Sequence, residues 1–168
     1  MAAETLTNTY MTVGAAHGLA KNLKIWHRKY EIAANVEDGD IFELGYIPAN
    51  TMVCGCIFVL DDIDTGTEAL DMDVGWAANG GGSATYVDPD TGVTYTNSGA
   101  SASATGLCNA GVLTGDGLAE SHTGNMRIQF YPDPLYFSAQ TKIQIEANVA
   151  ANAFAAGTAA VYLIYYVL

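Results

Sequence analysis

Period-two alternation of apolar and polar side chains, recurring in segment after segment, restricts the fold of this chain more than any other feature. Between Leu23 and Ile32, Trp26, Arg28, Tyr30 and Ile32 fall on one side and Ile25, His27, Lys29 and Glu31 on the other. That repeat belongs to a β-strand of about ten residues. The turn cluster Glu37-Asp38-Gly39-Asp40 leads into a short strand from Ile41 to Ile47. After Pro48-Ala49-Asn50, Thr51 to Leu60 is an apolar run between turn signals, as expected of a strand covered on both faces. Leu70, Met72, Val74 and Trp76 alternate with Asp71, Asp73 and Gly75, predicting one buried and one wet face. Met126, Ile128 and Phe130 alternate with Arg127 and Gln129, and Pro132-Asp133-Pro134 is expected to end that strand. Two more strands follow, from Lys142 to Val149 and from Ala159 to Leu168. Nowhere does a helix cap precede an apolar 3.6-residue period of useful length. About eight strands predict an all-β chain, a single-domain antiparallel β-sandwich of the jelly-roll type.

The remaining segments lack this period. Residues 1–20 mix Thr, Asn, Gly and Ala and read as an extended N-terminal arm, with the sandwich domain over 21–168. Residues 77–124 are rich in Gly, Ser, Ala, Thr and Asn and read as a long loop excursion inside that domain. A hairpin with an Asp88-Pro89-Asp90-Thr91-Gly92 tip interrupts it, with Tyr86 and Tyr95 on its two arms. Such a hairpin is expected to stand exposed, away from the core. Asn79-Gly80-Gly81-Gly82-Ser83 opens no helix, so it lacks the N–H dipole that cradles phosphate and reads as a flexible linker.

Charge and composition remove several function classes. Six Lys and Arg stand against 18 Asp and Glu, and a net charge of −12 opposes gripping a phosphate backbone. The uncharged stretch from Val149 to Leu168 contains Asn152, Gly157, Thr158 and seven Ala, too weakly apolar for a membrane span. The polar N-terminus shows no signal peptide, and an odd cysteine count fits a reducing compartment, so synthesis in a cytoplasm is expected.

Catalytic and metal-binding patterns are weak. His17, His27 and His122 are too dispersed for paired metal ligation, and no Gly-x-Ser-x-Gly elbow occurs. Cys54 and Cys56, two apart on a strand, would share a face about 7 Å apart. They read as buried small side chains, with a zinc pair completed by Cys108 or a histidine as the sharper option. Asp61, Asp62, Asp64 and Glu68, or Asp88 and Asp90, could offer oxygens to calcium. Asp62-x-Asp64-x-Gly66 departs from a calcium loop at its fifth position, so turn-forming Asp is the simpler reading. The expectation is a chain without cofactor or enzymatic activity. Lys21, Lys24, Arg28 and Lys29 are four of the six cations, and with Trp26 they form a candidate contact strip for an acidic partner. A solvated strand face explains the same letters.

The passage from Ala33-Ala34-Asn35 through Gly39-Asp40, Ile47-Pro48-Ala49-Asn50 and the apolar strand after it resembles small structural proteins of tailed bacteriophages. The acidic turn Leu60 to Gly66, the passage Asp71-Met72-Asp73-Val74-Gly75-Trp76 and the closing Ala/Gly-rich hairpin 148–167 are similar to theirs as well. Ile-Pro-Ala-Asn stands where Leu-Pro-Ala-Gly is usual, and 77–124 has no counterpart. The resemblance implies a capsid decoration (cement) protein that binds the major capsid protein on the exterior of the virion and self-associates, often as a homotrimer. Free sheet edges point to oligomerisation independently. The arm and the strand 21–32, with Lys21, Lys24, Trp26, Arg28 and Lys29, are then the expected contacts. The alternative is a fibre or tail adhesion module, with Tyr86, Tyr95 and Trp76 stacking on a host-surface glycan.

Overall fold

Each alternating segment has an apolar side that must leave water, and two sheets closing face to face satisfy all of them at once. A computed structural model describes residues 23–65, 69–109 and 125–168. Ten strands follow in chain order: β1 (Lys24–Ile32), β2 (Ile41–Ile47), β3 (Thr51–Leu60), β4 (Asp71–Trp76), β5 (Thr85–Val87), β6 (Thr94–Thr96), β7 (Ser103–Cys108), β8 (Asn125–Phe137), β9 (Thr141–Val149) and β10 (Gly157–Val167). A 3-10 turn, Ser98–Ala100, precedes β7. One sheet has the order β1-β10-β3-β8 and the other β2-β9-β4-β7, while β5 and β6 form a separate ribbon. All these pairings are antiparallel. Renumbered without the ribbon, the sandwich strands run 1-8-3-6 over 2-7-4-5, the double Greek-key order of a jelly roll. Among the described residues no helix is long and apolar enough to cross a membrane.

The core lies between the sheets. Phe58, Leu60, Val161 and Leu163 of the first sheet meet Met72, Val74, Ile143 and Ile145 of the second, all essentially without solvent contact. Burying each such side chain contributes about 1.5–3 kcal/mol. Trp26 closes one flank, its indole N–H donating to the Tyr46 carbonyl at 3.1 Å. It packs over Gly45, which sits at a bulge in the β2–β9 pairing with φ +125°, a conformation that only glycine adopts freely.

Five expectations change in the fold. Pro132-Asp133-Pro134 does not end a strand: β8 runs through it to Phe137. Register explains this, since Val53 pairs with Leu135 and Gly55 with Phe130, so residues 131–134, both prolines among them, bulge out of the ladder of an edge strand, where proline is tolerated. Residues 77–124 are not all excursion, because β7 completes the second sheet and buries Leu107 and Cys108. The side of β4 expected to be wet is largely covered. Asp73 is buried there and accepts a hydrogen bond from the Asn148 amide, while the β7 carbonyls lie on Gly75. The hairpin β5–β6 is exposed on the side of Thr85, Val87, Thr94 and Thr96, while its Tyr side is half-buried and docks.

The fifth change concerns the Gly80–Gly82 run, which is a turn held by side-chain hydrogen bonds instead of a flexible linker, with Gly81 packed and its two neighbours exposed. Gly81 donates to Asn79 Oδ1 at 2.9 Å, and a Cβ on Gly81 would meet Ser138 Oγ at 2.3 Å. Asn79 and Asn97 exchange amide hydrogen bonds of 3.1 and 3.0 Å. Asn97 also donates to the Gly82 carbonyl and accepts from the Gly99 and Ser138 amides. Asn97→Ala, which leaves several of these buried groups unpaired, is expected to cost about 2–3 kcal/mol. A urea melt followed by circular dichroism reads that loss as a lower midpoint with unchanged slope.

Candidate functional site

The β3–β8 and β3–β10 registers decide which side of the first sheet each residue takes. Phe58 and Leu60 point into the core, so Ile57, Val59 and their partners Ile128, Met126, Tyr162 and Ala160 point away from it. The apolar set of β8 therefore faces outward. Met126, Ile128 and Phe130 are 52%, 46% and 63% exposed, and Ile25 at the other edge is 69% exposed. His27 stacks flat on Tyr162, ring centroids 4.2 Å apart, joining the edge strand β1 to β10 on this face.

The other end of the same face is covered. Met52, Tyr136 and Tyr166 lie outside the main core, and the β5–β6 ribbon reaches them through a Tyr86–Tyr136 ring contact of 5.9 Å, with Tyr86 stacked against Tyr95 at 6.5 Å. Burial pushes the Tyr166 hydroxyl up to about 12, and neighbouring Cys54 and Tyr95 add to it. Thus the expected two-sided cover of β3 holds near Met52, while Ile57 and Val59 remain half-buried. Alternation in β8 shows two sides without saying which faces the core. The available signal lay in β10, where Tyr162 and Ile164 alternate with Val161 and Leu163, making both sides apolar.

The expected contact strip splits across β1. Lys24, Trp26 and Arg28 share the inward register, with Trp26 7% exposed and the Arg28 guanidinium 5.2 Å above its ring. Lys24 and Arg28 are exposed at the rim. Lys29 points outward and pairs with Glu31 at 2.9 Å. Lys21, the arm 1–20, His17, His122 and Glu68 lie outside the described residues.

The metal readings meet specific geometry. The β3 bulge between Val53 and Gly55 breaks the period, so Cys54 and Cys56 do not share a face as expected. Cys56 joins the core beside Cys108, whereas Cys54 neighbours Tyr166 and Tyr95 on the outer side. Burial pushes all three thiols up, Cys108 to about 11, which keeps them protonated and poor as ligands or nucleophiles. Asp64 accepts four backbone N–H bonds, and Asp61 accepts both the amide and the hydroxyl of Thr158. Asp88 closes its own turn, its oxygens accepting from the Asp90 amide and the Thr91 hydroxyl, which hold its carboxyl low. These oxygens serve the backbone. Among the described residues no group of three or more His, Cys, Asp or Glu converges to hold a metal.

The glycan-stacking trio also separates. Trp76 is buried edge-on against Phe137, with its indole N–H donating to the Ser101 carbonyl at 2.9 Å, so it offers no face to a sugar.

No family model matches the chain, and no curated protein matches its sequence. Its fold is similar to that of solved phage capsid chains. In the capsid asymmetric unit of cyanophage Pam1, one chain superposes with a TM-score of 0.57 at 16% identity, over 88% of this chain and 86% of that one. In the capsid of Ralstonia phage GP4, the values are 0.53 and 19%, over 86% and 85%. At such identities the likeness is one of fold: the β-sandwich of this chain is an architecture also present in the capsids of two phages.

Proposed function

We propose that this chain is a structural protein of a tailed-phage virion that decorates the outside of the capsid by binding the major capsid protein lattice. The observation that carries this reading is the likeness of nearly the whole sandwich to chains of two phage capsids. Two surface features support it. β1 is an edge strand, paired only with β10 among the described strands, so its other edge offers free backbone groups to a partner strand. Lys24 and Arg28 stand exposed at that rim on a chain of net charge −12, a local potential that suits an acidic partner surface. In this reading the arm and β1 reach the shell. The adhesion alternative is weakened by the burial of Trp76 and the docking of Tyr86.

The test is sedimentation of the purified chain with capsid shells from the same source, followed by cryo-EM. Added density at regular lattice positions outside the shell is expected, with its local symmetry giving the oligomer. The double variant Lys24→Glu/Arg28→Glu is expected to bind shells about tenfold more weakly at low salt, with a smaller deficit at high salt. A bare shell at saturating protein would overturn the reading.

A further inference from the structure

We infer that the outer face of the β1-β10-β3-β8 sheet, over the part that the described residues leave uncovered, is a self-association surface that packs against the same face of a second copy of this chain. The face is largely apolar across four strands, with Ile25, Ile57, Ile128, Phe130, Tyr162 and Ile164 in its outward register. An apolar patch of a few hundred square ångströms is often functional.

Charge selects the occupant. Among the outward positions of the uncovered part, only Lys29 and Glu31 are charged, and they pair with each other. A second copy also carries −12, so it meets least repulsion where the surface is neutral. An acidic partner of another kind would instead find Lys24 and Arg28, which take the opposite register of β1. The β5–β6 ribbon already covers the far end of the sheet and bounds the patch.

Geometry sets the strength. Four strands about 4.8 Å apart and six or so residues of about 3.3 Å each give a patch of about 19 by 20 Å. That is the core of an interface and less than the standard area of about 800 Å² per partner, so association in the micromolar range is expected. Two such faces pack about 10 Å apart. A two-fold axis along the strands lays β1 of one copy over β8 of the other, placing His27 and Lys29 above apolar residues and not above their own copies.

Sedimentation velocity of the full chain in reducing buffer, over a range of concentrations, tests this. The chain is expected to shift from monomer to dimer mass with rising concentration. Ile25→Glu/Phe130→Glu, at exposed positions, is expected to weaken association about a hundredfold. Its thermal melt shows whether it is folded, and Ile25→Lys alone, at an edge, serves if it is not. A parent chain that stays monomeric at several hundred micromolar, or variants that associate unchanged, would overturn the inference. Shell binding measured on the same variants separates this inference from the capsid reading. Variants that self-associate normally yet lose shells assign the face to the shell protein and also overturn it.

Discussion

Gly75→Ala is expected to lower the stability of the chain by about 3 kcal/mol or more, although it adds a single methyl group. A Cβ at this position would lie 1.9 Å from the Ser103 carbonyl oxygen, 2.3 Å from that of Ala104 and 2.5 Å from the Ala104 carbonyl carbon. All three atoms are backbone, so no rotamer change can make room. β7 must move away from β4, and Leu107 and Cys108, both buried, must move with it. Gly106 repeats the device from the other side, since a Cβ there would meet the Trp76 ring at 2.2 Å. For a chain of this size the thermal midpoint should fall by about 6–12 °C. A loss below about 1 kcal/mol in the same melt would mean that β7 does not approach β4 this closely.

Asp64→Asn is expected to cost about 3–4 kcal/mol, because a buried anion that accepts four backbone N–H bonds is replaced by a group that must turn N–H toward N–H. The carboxylate, 5% exposed, holds Ala69 and Leu70 through Oδ2 and Asn152 and Ala153 through Oδ1. It thereby ties the β3–β4 connection to the β9–β10 connection. Burial by itself would push the Asp64 carboxyl up. The amides of Ala69, Ala153, Asn152 and Leu70 outweigh it and hold the group below the usual carboxylate value. A carboxyl depressed on folding contributes stability that is fully present above its unfolded value of about 3.9 and is lost as pH falls through the folded value. The parent chain should therefore lose stability in acid more steeply than Asp64→Asn, and urea midpoints measured from pH 6 downward should converge. Parallel pH profiles would sink the assignment.

Much of the architecture is local and was legible. β2 and β3 occupy the residues that alternation and turn signals predict, and β9 and β10 begin within two residues of expectation. The candidate site was less so. Trp26, expected in the contact strip, is buried with the core, because its register on β1 points inward onto Gly45. β7 carries no strand signal because its residues, Ser-Ala-Thr-Gly-Leu-Cys, are small where they slide past Trp76 and Gly75. Their only signal was the pair of glycines, which has meaning once the two strands are adjacent.

What the sequence by itself determined is the all-β character, the positions of most strands and the sign of the net charge, since a two-residue period and a turn residue act within a few positions of the chain. Which side of each strand meets the core was decided by tertiary structure. The bulge that separates Cys54 from Cys56, the pairing that turns Met126, Ile128 and Phe130 outward and the hairpin that covers Met52 all join residues distant in sequence. A one-residue change of register exchanges the faces of a strand while leaving its alternation intact, so orientation, and with it the exposed apolar face, is a property of the paired sheets.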